Sequence, residues 1–89
     1  MIVKFSQVEN RIPSMSCQAE LFRSRKHLKE GKSFFTSLER LEWGAKSCAE
    51  RIKAENQQDK VELIFSNNFP ASAKEVVNRV LTRHKVNIS

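Results

Sequence analysis

The feature that most constrains the fold is an apolar stripe between residues 34 and 52. Its members recur at alternating steps of four and three, which places them on one side of an α-helix. Thr36 and Glu39 fit a capping box at its start, and a polar run over 55–59 follows its end. We therefore predict an amphipathic helix over about 36–57. The stripe consists of Phe34, Leu38, Leu41, Ala45, Cys48 and Ile52.

Two segments predict the strands against which this helix can pack. Residues 2–8 are rich in β-branched and aromatic side chains and precede a polar stretch, which is typical of a strand. Residues 61–66 alternate apolar and polar side chains, and Ile64 on the second face indicates that this face is partly covered. We expect the strand over 61–66 to be central in the sheet.

The C-terminal part predicts a second helix and a short last strand. Ser72 and Glu75 fit a capping box after Pro70, and a core stripe that includes Val77 and Val80 follows. The terminal strand is predicted at 86–88. We expect the helices and strands to share one core, whose members are Leu38, Leu41, Cys48, Ile52, Leu63, Phe65, Val77 and Val80.

Residues 17–30 admit two interpretations. Leu21, Phe22 and Leu28, with an acidic start and a basic end, favour a helix that ends at Gly31. The alternation of Cys17, Ala19 and Leu21 favours a second strand that forms a hairpin with the first. The helix is the preferred interpretation, and the hairpin is the alternative.

These elements predict one small domain over residues 1–89. The preferred order is β-α-α-β-α-β, with a sheet of two to three strands packed against two or three helices. An α/β fold with right-handed crossovers follows from that order, and an α+β fold is possible as well.

Composition excludes several classes of protein. Only two glycines are present, and a phosphate-binding P-loop would need a further glycine where Lys26 stands. No apolar run or basic leader predicts a membrane span or a secretion signal, so we expect a cytoplasmic protein. Cys17 and Cys48 are too few for a disulfide framework and match no zinc spacing with His27 or His84. We predict reduced thiols, no metal, no cofactor and no catalytic residue, and hence a non-enzymatic protein.

Positive charge is concentrated in two segments. The chain has a formal net charge of +6; residues 21–32 contribute +4 and residues 74–85 contribute +3, so the rest of the chain has a net charge of −1. Both segments can be solvated surfaces without a further role. They can also form one basic surface that binds nucleic acid or an acidic partner. The candidate residues are Arg23, Arg25, Lys26, Lys29, Lys32, Arg79, Arg83 and Lys85.

Trp43 is the second candidate site. It follows Leu41 by two residues, which is about 200° around the helix axis, so it should point away from the core. The segment over residues 10–16, with Ile12 and Met15, can cover the indole as a satellite cluster. Alternatively, Trp43 anchors a contact with another protein, because tryptophan is enriched among interface hot spots.

The preferred function is that of a non-enzymatic accessory or regulatory protein that binds nucleic acid or a nucleoprotein complex. The alternative is a small inhibitor or adaptor that docks on an acidic protein surface through the basic residues and Trp43. The basic composition and the strand-helix-helix opening also resemble the ribonuclease toxins of the RelE type, which would imply a ribonuclease as a third candidate. Those toxins have several antiparallel strands after the helices, whereas this chain offers one at 61–66. No catalytic residue is carried over.

Overall fold

The computed structural model describes residues 1–7, 17–23, 28–35 and 37–88. These residues form a small α+β fold in which one sheet has the strand order β3-β2-β1-β4. β1 pairs antiparallel with β2 and parallel with β4, and β2 pairs antiparallel with β3. The elements are β1 (Ile2–Gln7), β2 (Cys17–Arg23), β3 (Leu28–Phe35), α1 (Leu38–Ala54), β4 (Glu62–Phe65) and α2 (Ala71–Arg83).

The helix preferred for residues 17–30 is wrong wherever the structure describes that segment. Residues 17–23 form β2, and residues 28–30 begin β3. Cys17, Ala19 and Leu21 are all buried, so the alternation of apolar residues outweighs the helical spacing. The hairpin alternative matches the structure, since β1 and β2 pair along their whole length. Three strands precede α1, and the order β-α-α-β-α-β is therefore not matched; the opening that resembled RelE-type toxins is wrong as well.

α1 confirms the central part of the predicted stripe. Ser37 caps the helix, because its Oγ accepts a hydrogen bond from the backbone N–H of Arg40 at 3.2 Å. Leu41 and Ile52 are fully buried in the main core. Leu38 was expected in that core but is 40% exposed, because it is the first residue of the helix. The structure does not describe residue 36, and Phe34 belongs to β3.

α2 begins at Ala71 without the capping box predicted for Ser72 and Glu75. Pro70 is the N-cap, with a φ of −61° and no side-chain capping bond. Its backbone is extended, with a ψ of 141°, and its carbonyl accepts the first helical hydrogen bond, from the N–H of Lys74 at 3.0 Å. Val77 is fully buried in the main core, whereas Val76 and Val80 form a second cluster with Ala45. This second cluster joins α2 to α1.

β4 lies at the end of the strand order, so its predicted central position is wrong. On its outer side the structure has one parallel bridge, between Val61 and Ile88. Among the described residues, this bridge is the part of the predicted terminal strand that is present. Ile64 is 37% exposed, and Leu63 and Phe65 are partly buried against the core.

The topology brings distant segments to one end of the sheet. β1, β3 and β4 run in one direction, and each crossover helix returns the chain to the end where β1 and β4 begin. The amino group of Met1 donates to the Lys60 carbonyl at 2.9 Å, and the Asn87 N–H donates to the Gln58 carbonyl at 2.7 Å. The turn after α1 and the residues after α2 therefore lie together beside the start of β1.

Candidate nucleic-acid interface

Cations from separate segments of the chain lie at the end of the sheet where β1 begins. Arg83 ends α2, and Lys85 follows it; both are exposed. The backbone of Arg23 ends β2 and pairs with Leu28 at the start of β3. Because β2 runs antiparallel to β1, this pair lies at the same end as the end of α2. We call this surface the basic end; it comprises Lys53, Lys60, Arg83 and Lys85.

Lys53 and Lys60 were missed in the sequence because carboxylates surround them locally. In the structure these carboxylates have other partners. Glu55 pairs with Arg51 at 3.3 Å, and Asp59 accepts a hydrogen bond from the side-chain amide of Asn87. Lys53 and Lys60 are both exposed and add positive charge to the basic end, which also carries the exposed carboxylates of Asp59 and Glu62.

The other predicted cations are placed differently. Arg25 and Lys26 lie outside the described residues, in the connection between Arg23 and Leu28. In β3, the backbone of Lys29 pairs with Phe22 and that of Lys32 with Glu20. Arg79 lies in the middle of α2, with its guanidinium 4.0 Å from the carboxylate of Glu42 on α1. Arg79 therefore links the two helices and is partly neutralised.

The opposite end of the sheet carries neutral polar groups where β1 and β4 finish. The Ser66 hydroxyl accepts a hydrogen bond from the Gln7 N–H at 3.3 Å and donates to Oδ1 of Asn68 at 2.6 Å. Lys74 lies at this end as well, with its ammonium 5.7 Å from the centre of the Phe65 ring.

Trp43 points away from the core, as its position on the helix predicted. It is 73% exposed. Beside it, a groove of about 390 Å³ lies between α1 and α2. We call this the Trp43 groove; its lining residues are Glu42, Trp43, Lys46, Val80, Arg83 and His84. Ile12 and Met15, which were considered as cover for the indole, lie outside the described residues.

A second groove, of about 480 Å³, borders Trp43 on its other side. Phe35 and Arg40 are among its lining residues. Gly44 lets the Phe35 ring pack directly against α1, because a Cβ at that position would overlap the ring. The indole therefore forms a ridge between two grooves.

Arg83 connects the basic end with the Trp43 groove. It lines the groove together with Trp43 and Lys46, and it also ends α2. The two candidate sites of the sequence, the basic residues and the tryptophan, thus meet at one side chain.

The cysteines lack the properties of nucleophiles. Both are buried free thiols. Burial raises the pKa of the Cys48 thiol to about 11 against the opposing effect of Arg51, and it also raises the pKa of Cys17. A protonated, inaccessible thiol is unreactive.

Neither a metal site nor a membrane span is present in the part of the chain that the structure describes. Within residues 1–7, 17–23, 28–35 and 37–88, no group of three or more His, Cys, Asp or Glu side chains is arranged to hold a metal ion. Among the same residues, neither helix has the length and apolar character of a bilayer span. Comparison with known proteins gave no match to a family model, a curated protein or a solved structure.

Proposed function

We propose that this chain is a non-enzymatic accessory protein that binds nucleic acid through its basic end. The observation that carries the proposal is the convergence of cations from separate segments at the end of the sheet where β1 begins. Lys53, Lys60, Arg83 and Lys85 are exposed there, and the strand end at Arg23 is adjacent. A cluster of Lys and Arg on one surface is the electrostatic signature of phosphate binding. We place this function in the cytoplasm, where buried thiols remain reduced.

Charge reversal at the basic end tests the proposal. The variant Arg83→Glu/Lys85→Glu should bind labelled single-stranded and duplex oligonucleotides more weakly than the natural chain. Each lost phosphate contact should also reduce the salt dependence of the affinity by about 0.7 to 0.9 log units per decade of salt. Titration by fluorescence anisotropy over a range of salt concentrations measures both effects.

The matched control is Lys74→Glu, compared with Lys85→Glu alone, so that both variants change the net charge by the same amount. Lys74 is exposed, and its ammonium lies 5.7 Å from the centre of the Phe65 ring, at the end of β4 opposite the basic end. We expect this control to keep most of the salt dependence. Equal losses in the two variants would show that net charge alone drives binding and would contradict an interface at the basic end.

The second candidate function is that of an inhibitor or adaptor on an acidic protein. The 73% exposure of Trp43 favours it, because tryptophan is enriched among the hot spots of protein interfaces. Salt dependence is expected here too, but affinity for such a partner should be lost on Trp43→Ala as much as on charge reversal. An absence of oligonucleotide binding at about 50 mM salt would leave this candidate ahead.

A further inference from the structure

We infer that the nucleic acid bound by this chain is single-stranded and that one of its bases stacks on Trp43. The inference rests on the proposed function and adds the form of the ligand and the residue that recognises it. It comes from the surroundings of the indole rather than from the basic end.

The indole offers an accessible aromatic surface on a rigid element. Trp43 is 73% exposed, and it lies within the 17-residue helix α1. Grooves flank it on both sides, with volumes of about 390 and 480 Å³. An indole held in this way offers a stacking surface at a small cost in conformational entropy.

Cations flank the indole on both sides. Lys46 and Arg83 line the Trp43 groove, and Arg40 lines the second groove. Glu42 also lines the Trp43 groove, but its carboxylate lies 4.0 Å from Arg79. Glu39 lines the second groove beside Arg40, so the excess of positive charge lies on the side of the Trp43 groove. An aromatic side chain between cations matches the alternation of bases and phosphates in an unpaired strand.

Duplexes fit this arrangement less well. In an intact duplex the base faces are covered by their neighbours, so the indole would find only backbone and groove edges. Single strands expose base faces, and stacking on them depends little on sequence because every base has a π-face. The path from the Trp43 groove to the basic end runs along Arg83, which gives a strand stacked on Trp43 a continuous route to the remaining cations.

The intrinsic fluorescence of the chain provides a direct test. Trp43 is the only tryptophan, and the chain has no tyrosine, so the emission reports on this residue alone. We expect a single-stranded oligonucleotide of about 15 nucleotides to quench the emission, and a hairpin duplex of the same composition to quench it much less.

Substitution of Trp43 gives the quantitative arm. Trp43→Ala should weaken single-strand affinity roughly 5- to 150-fold, the effect of losing one stacked base, while Trp43→Phe should retain most of it. The control is Leu38→Ala, an exposed apolar residue on the same helix that lines neither groove; its affinity should be unchanged. Circular dichroism confirms that each variant is folded.

Two outcomes would overturn the inference, and they are distinguishable. Equal binding of single strand and duplex, with no quenching and no effect of Trp43→Ala, would overturn the role of Trp43 and leave the proposed function standing. Binding of neither oligonucleotide at about 50 mM salt would overturn both.

Discussion

The two faces of α1 differ in burial although they belong to one helix. On the inner face, Leu41 and Ile52 are fully buried in the main core. On the outer face, Trp43 is 73% exposed between two grooves. Burial of an apolar side chain stabilises the fold, whereas an exposed indole adds little until a partner covers it. The core face and the face proposed to bind a partner are thus separated by about half a turn of helix, so substitutions on one face should leave the role of the other unchanged.

The largest expected effect comes from the inner face. Leu41→Ala should lower the free energy of unfolding by about 2 to 5 kcal/mol, because it leaves a cavity in a packed core. Urea unfolding followed by circular dichroism measures the loss. A decrease of less than about 0.5 kcal/mol, the range of surface substitutions, would show that Leu41 does not lie in the main core.

The next effect is a pH dependence from Cys48, also on the inner face. Its pKa is about 11 in the folded chain and 9.0 for a free thiol, so the folded state retains a proton that the unfolded state loses. The stability is complete below pH 9 and is lost as the pH rises through 11. The loss should amount to about 2 to 3 kcal/mol, from about 1.4 kcal/mol per unit of pKa.

The control for this effect is Cys48→Ala. We expect its free energy of unfolding to vary less between pH 9 and 11 than that of the natural chain. If the free energy of unfolding of the two proteins changed with pH in the same way, ionisation of Cys48 would not destabilise the fold.

The smallest effect on stability is expected on the outer face. Trp43→Ala should change the free energy of unfolding by less than about 0.5 kcal/mol, as at most surface positions. In the natural chain, the emission of Trp43 should be red-shifted and readily quenched by acrylamide, since water reaches the indole. A blue-shifted emission that resists quenching would instead show that the segment over residues 10–16 covers Trp43, and it would remove the contrast between the two faces.

The accuracy of the sequence prediction follows the length of each pattern. The stripe in α1 repeats over several helical turns, so its phase fixed the inner position of Leu41 and the outer position of Trp43. β2 has seven residues, and an alternation with a period of two over so short a segment does not exclude a helix. The acidic start and basic end of residues 17–30 favoured the helix, which is the wrong structure. Residues 17–23 form a strand because they pair with β1, and such pairing depends on residues outside the segment itself.

The same reasoning explains which parts of the candidate site were predictable. Trp43, Arg83 and Lys85 stand out from the local sequence by type and charge. Lys53 and Lys60 do not, because carboxylates stand near them in the sequence, and only the topology places them at the same end as Arg83 and Lys85.

By itself, the sequence determined the two helices, the first strand, the strand at 61–66 and the outward position of Trp43, because each depends on the spacing of neighbouring residues along the chain. Only the tertiary structure decided that residues 17–23 are a strand, that β4 ends the strand order, and that Lys53, Lys60, Arg83 and Lys85 lie at one end of the sheet. These depend on strand pairing and on the direction in which each helix returns the chain, which are properties of contacts between distant segments.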